Sequence, residues 1–386
     1  MKITQMTNCS THLIRTFITV LVLSNITLAL AEPLAAKSES VTLTGAHIFG
    51  HGLAALTIRN GYIETISDSA AINDPDAINL EGRFIVPAFI DSHVHLGFGY
   101  SAEQLIQGGI AAVVDLAAPL SYLARDYDPL TILFAGPMIT AIHGYPTQSW
   151  GGDGYGLEIS GIDSVRAAVD FLHASGAGVI KMPVGDTTGG GAISGMTENK
   201  STLNDEQLKA IVDQAHLHGL KVAAHAITDS AAMRAAKAGA DALAHTPTVA
   251  LSDATVKAWS KRTLISTLAA FKTVPVAVDN LRRLREAGTT ILYGTDLGAT
   301  TIPAINLEEL QLLQKAGLDG DAILASVTEA PARYWGFDGF GSIRVGSRAN
   351  LLILDADPRQ DLSALTRPLN IYLNGIEQER KNTEEN

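Results

Sequence analysis

Apolar and polar positions along the chain change their period twice. Val41-Thr42-Leu43-Thr44 alternates, as does Ala55–Arg59, and Asn60-Gly61 joins the latter to Tyr62–Ile66. Alternation predicts half-buried strands, and an Asn-Gly between two such runs predicts a hairpin. The far end holds matching short runs at Gly341–Val345, Ala349–Leu354 and Ile371–Gly375. Neither end has enough strands for a stable sheet, so residues 41–84 and 341–377 are expected to pair into one composite β-sandwich.

Between them, residues 85–340 alternate short apolar runs with helical ones. A buried strand is predicted at Phe89–His95, and seven more at Ala111–Leu116, Ile132–Thr140, Gly178–Val184, Lys221–Ala226, Ala242–Thr246, Leu264–Leu268 and Ile291–Thr295. The clearest helix runs from Asp205 to Leu217, with Leu208, Ile211, Val212 and Ala215 on one face and Gly219 as its stop. Eight strands alternating with helices over about 250 residues imply a (β/α)8 TIM barrel, an α/β fold. No internal repeat is evident.

The first 31 residues read differently. Lys2 and Arg15 precede an apolar run, Phe17–Leu23, which leads to Ala29-Leu30-Ala31, the pattern of a cleaved signal peptide. An uncleaved anchor helix is the competing reading, but the run is short and broken by Ser24-Asn25. The expected mature chain starts at Glu32, is periplasmic or secreted, and has no membrane segment. The single cysteine, Cys9, lies ahead of the apolar run, so the mature chain would contain no disulfide. With 46% hydrophobic and 18% charged residues and a net charge of −12, the composition is that of a globular protein with a large core. Disorder and nucleic-acid binding are excluded, and the negative balance has no localised block to attract a partner. A small-molecule substrate is the expected partner, and a homo-oligomer is left open.

In a barrel of this kind the active site lies at the C-terminal ends of the strands. His93 and His95 share a face, since i and i+2 project to the same side of a strand. Two imidazoles so placed can bind a zinc-like ion, although His-x-His can arise by chance in a chain with eleven histidines. Four further strand ends carry Lys181, His225, His245 and Asp296 after small or apolar residues. Four histidines, a lysine and an aspartate at strand ends are hard to explain structurally, because an isolated buried lysine costs several kcal/mol unless it is neutralised or bonded. A shared metal site explains them together. His143 follows the third strand on the same side, and Tyr145 and Trp150 follow it as an apolar wall or as packing. Asp115, at the end of the second strand, reads as a structural hydrogen-bonding residue. Gly189-Gly190-Gly191 lacks the Lys-Ser/Thr of a phosphate loop and reads as part of a mobile lid.

These residues resemble the pattern of the metal-dependent amidohydrolase superfamily, and the likeness extends over the flanking sandwich and Ser326–Arg333. The branch it is most similar to comprises imidazolonepropionase-like and prolidase-like (Xaa-Pro dipeptidase-like) hydrolases. Three positions depart from the usual pattern: Ala88 for Gly, Thr246-Pro247 after His245, and Asn350 for Asp. The resemblance implies two divalent ions, of which Zn2+ suits the ligands. His93, His95 and Asp296 would hold the more buried ion, and His225 and His245 the other. Lys181, converted by CO2 to a carbamate, would bridge them together with a hydroxide. A carbamate makes sense of a lysine in this place, since it offers two anionic oxygens where an ammonium offers none. Asp296 would be the catalytic base and then acid. His143 and Tyr145 would contact substrate.

The function expected is hydrolysis of a C–N amide bond in a dipeptide, an N-acyl amino acid or a cyclic amide. Lactone, ester or phosphoester hydrolysis uses the same centre. A mononuclear deaminase would do without the bridging lysine, and a non-catalytic binding protein would be expected to have lost ligands.

Overall fold

The computed structural model describes residues 40–68, 72–147, 149–186, 201–271 and 275–379. The predicted signal segment and the glycine-rich lid lie outside them. The two ends of the described chain pair with each other. They form one eight-stranded sheet in which 376–377, 370–373, 351–354, 84–87, 40–48, 52–59 and 62–67 are successive neighbours, with 78–79 beside 40–48. The hairpin at Asn60-Gly61 is present, both residues having positive φ. Leu43, Leu56, Ile58, Ile63, Ile85, Leu351 and Ile353 share the core of this sheet. His47 lies on the first strand, stacked on Phe84 at 5.0 Å.

The strand Phe84–Pro87 pairs with Leu351–Leu354, and after one residue the chain enters the first barrel strand, Phe89–Val94. This continuity, with Ala88 N donating to Asn350 O at 2.9 Å, fixes where His93 emerges. The remaining barrel strands are Ile110–Asp115, Thr131–Phe134, Val179–Pro183, Lys221–His225, Ala242–Leu243, Thr263–Ile265 and Thr290–Leu292. They form two parallel arcs, of three and of five strands. The arcs are joined on one side by Gly178 N to Phe134 O at 2.9 Å. On the other side Ser92 N donates to Tyr293 O at 3.0 Å.

All eight predicted strands are present, several shorter than expected. The third was predicted to run unbroken to Thr140. It stops at Phe134, because Gly136 takes φ +70° and Pro137 has no N–H to donate. The chain resumes as Met138–Ala141, paired in parallel with Gly156–Ile159, and so carries Tyr145 and Trp150 to the rim of the barrel. Helix Asp205–Leu217 has the predicted bounds. Asn204 and Gln207 cap it reciprocally, and Leu208, Ile211, Val212 and Ala215 are buried. Among the described residues no helix is long and apolar enough to cross a membrane.

Candidate metal centre and active site

His93, His95, Lys181, His225, His245 and Asp296 all lie buried at one end of the barrel. His95, His245 and Asp296 sit just past the last ladder residues of their strands, where the backbone turns and finds other partners. Asp296 N donates to His93 O at 2.8 Å and His95 N to Leu297 O at 2.8 Å. Asp296 adopts φ +52°, a left-handed conformation that aspartate tolerates better than most residues. Gly294 precedes it in the strand-end turn; a Cβ there would collide with the Ile265 side chain and press on His93.

The ligand-type atoms converge. Asp296 Oδ1 lies 3.1 Å from His95 Nε2 and 3.5 Å from His93 Nε2, and Oδ2 lies 3.8 Å from His245 Nδ1. His93, His95 and Asp296 offer three atoms within 4.8 Å of one another, close enough to hold one ion. The His245 ring is 4.6 Å from His93 and 4.7 Å from His225, so the second pair of imidazoles adjoins the first group. His93 Nδ1 is 2.8 Å from Ala244 O, His95 Nδ1 is 3.3 Å from Ala117 O, and His245 Nδ1 is 3.1 Å from Thr267 Oγ1. In His93 and His95 these contacts turn Nε2 toward Asp296, the outer hydrogen bonding expected of a metal-ligating histidine.

Burial holds the imidazoles of His93, His225 and His245 neutral. It pushes His93 and His245 well below the ordinary histidine value and His225 down to about 3. Burial alone would raise the Asp296 carboxyl, but the surrounding histidines keep it well below its usual range. His225 Nε2 is buried without a hydrogen-bond partner. An orphaned imidazole nitrogen, three neutral imidazoles and an ionised carboxylate, with His95 beside them, fit divalent metal.

Lys181 is fully buried, and burial lowers its amine to about 7 against the opposing pull of Asp296 and Asp115. Its one close side-chain partner among the described residues is His93 Nε2, at 3.3 Å. A structural lysine would be expected to sit against a carboxylate at ion-pair distance. Asp115, one of the two carboxylates whose charge acts on the lysine, is occupied: it accepts from Leu96 N at 2.9 Å and Ala117 N at 3.1 Å, the structural role expected of it.

A cavity of about 440 Å³ opens above the centre, lined by five of the six site residues and by Phe98, Met138, Tyr145, Trp150 and Phe271 among others. Tyr145 faces His225 at 5.0 Å. His143 is placed elsewhere. It is exposed on the turn after Met138–Ala141, its N–H donates to Glu158 at 3.0 Å, and it is not among the residues lining this cavity. Sequence reasoning missed Asp91, which accepts from His93 N, Thr295 N and Thr295 Oγ1 and so ties the first strand to the eighth directly beneath the ligands. Its position two residues before His93, at same-face spacing, was the available signal.

Glu309 supports the opposite wall. Its Oε2 accepts from Ala269 N at 2.7 Å and thereby holds the loop that carries Phe271. Burial raises its carboxyl from 4.5 to about 7, against the opposing effect of hydrogen bonds from Ser266, Ala269 and Leu268. A carboxyl raised on folding gives its full stability below pH 4.5 and loses it as pH climbs toward 7. Ionised at pH 8, it costs up to about 3 kcal/mol. Glu309→Gln keeps the acceptor and removes the charge, so thermal unfolding should occur at higher temperature than wild type at pH 8 and show little gain at pH 5. A variant less stable than wild type at both values would contradict this.

The sequence matches the amidohydrolase family over residues 84–375, and the chain belongs to that family. It is a hydrolase of carbon–nitrogen bonds, of the class in which a barrel presents metal ligands from its strand ends. Among relatives, an uncharacterized protein of Mycobacterium tuberculosis is 26% identical over 381 residues, spanning 88% of this chain and 96% of that one. The imidazolonepropionase of Chromobacterium violaceum is 27% identical over 382 residues, covering 83% of this chain and 90% of its own. Among solved structures, that of a Xaa-Pro dipeptidase with bound methionine superposes with a TM-score of 0.75 at 22% identity, covering 88% of this chain and all of the other. At that identity the last likeness concerns the fold.

Proposed function

We propose that the protein is an exported, binuclear hydrolase of an amide bond in a small molecule: a dipeptide, an N-acyl amino acid or a cyclic amide. The observation that carries the reading is Lys181, buried beside the two histidine groups with an imidazole nitrogen and, among the described residues, no carboxylate as its close partner. An amine lowered to about 7 is substantially neutral at physiological pH, and the neutral amine is the form that reacts with CO2. As a carbamate, Lys181 would join His93, His95 and Asp296 on one ion and His225 and His245 on the other.

Bound divalent ions would polarise the scissile carbonyl and bring the pKa of a water to about 7. The chain's own residues would do the rest. Asp296 Oδ1, turned toward His93 and His95, serves as a ligand. Oδ2 is left to take a proton from the attacking water and to deliver it to the departing nitrogen, a base and then an acid. Tyr145 and Trp150 keep bulk water from the centre. Kinship with imidazolonepropionase supports C–N hydrolysis.

Two measurements test this reading. Elemental analysis of protein produced with ample zinc should find close to two metals per chain, with activity on at least one amide lost on chelation and restored by metal. A single metal supporting full activity would turn the reading toward a mononuclear deaminase; esters cleaved in the absence of any amide turnover would replace it with an esterase. Export is tested by N-terminal sequencing of the native protein. It should begin at Glu32, and a start at Met1 would refute cleavage.

A further inference from the structure

The proposed chemistry needs the metal ligands and Asp296, and of the cavity's walls it needs only shielding by Tyr145 and Trp150. These walls are aromatic to a degree that shielding the centre does not require. Trp150 lies 5.5 Å from the His95 ring, 5.4 Å from Phe98 and 5.5 Å from Tyr155, and its Nε1 donates to Tyr145 Oη at 3.0 Å. Tyr145 covers His225, and on the opposite side Phe271 stands edge-on to His245 at 5.3 Å. Phe98 remains 43% exposed at the cavity mouth, an orientation that costs apolar burial unless a ligand completes it. The volume, about 440 Å³, is near the lower end of the roughly 300–1,000 Å³ usual for small-molecule pockets.

We infer that Trp150, Phe98, Tyr145 and Phe271 form a subsite for an aromatic ring carried by the substrate next to its scissile amide bond. The inference rests on the amide-hydrolysing reading above. Rings bind rings through offset or edge contacts that an alkyl group of equal size makes less well. Trp150 is held by its Nε1 hydrogen bond, so its face is set before a ligand arrives. The arrangement places the ring against His95 and the amide over the centre.

The test uses matched amides that differ only in ring type: acetanilide against N-cyclohexylacetamide, and benzamide against cyclohexanecarboxamide. Because anilides and alkyl amides differ in intrinsic reactivity, the quantity compared is the aryl-to-alkyl ratio of kcat/KM in wild type and in Trp150→Ala. This ratio should fall about 3- to 10-fold in the variant for at least one pair. A second readout needs no turnover. The other two tryptophans, Trp259 and Trp335, are buried away from the cavity, so acetanilide should quench Trp150 fluorescence in metal-free protein, and Trp150→Phe should lose that quenching. Amide hydrolysis with an unchanged ratio and no quenching overturns the subsite. Quenching in a protein that hydrolyses no amide supports the subsite and overturns the amidase reading, so the two failures are distinguishable.

Discussion

If the proposed centre holds two metals, Lys181→Ala is expected to lose at least one of them and to lower kcat at least about 100-fold. Loss of an outer hydrogen-bond partner of a ligand already costs about 10- to 100-fold, and here an anionic ligand shared by both ions would go. Without it, two like charges would face each other across a buried site with less screening between them. Added acetate or propionate, small enough to enter the vacated space, should restore part of the activity. Lys181→Arg should not restore it, because a guanidinium stays cationic and cannot form a carbamate. A lysine held for structural reasons gives the opposite order, with arginine tolerated and metal content unchanged. Measuring metal content and turnover in both variants separates the two cases, and an active Lys181→Arg enzyme with two metals would leave the bridging role without support.

Asp296→Asn should lower kcat by about 10²- to 10⁴-fold, the range that a positioned proton carrier contributes. The carboxamide keeps an oxygen near His93 and His95, so part of the metal affinity should survive. What disappears is the capacity of the second oxygen, now a nitrogen, to accept the water's proton. The test is to titrate metal into the variant and measure turnover at full occupancy. Activity within tenfold of wild type in the loaded variant would assign proton transfer to another group. If the metal is not retained at any concentration tested, Asp296 is an indispensable ligand.

The two variants probe groups whose positions the chain fixes by different means. Lys181 is third in a regular five-residue strand, Val179–Pro183, where it pairs with Ala223 of the next strand. Alternation predicts its direction. Asp296 lies beyond its ladder, in a left-handed turn held by Asp91 through Thr295. Its direction depends on a contact across 204 residues of sequence.

By itself, the sequence determined the alternating strands and helices, the hairpin at Asn60-Gly61, the capped helix Asp205–Leu217 and the ligand-type residues at strand ends. Each rests on a local cause: side-chain period, turn chemistry or end capping. Only the tertiary structure decided how the two ends interleave into one eight-stranded sheet, where the third strand breaks, and which distant groups orient the ligands. Asp91, Thr267 and the carbonyls of Ala117 and Ala244 act through contacts that no periodicity encodes. The rim followed the same rule. His143 and Tyr145 are two residues apart, yet one faces solvent and the other covers His225. A left-handed backbone at His143 separates them, and burial against the barrel, more than residue type, selects which side chain reaches the cavity.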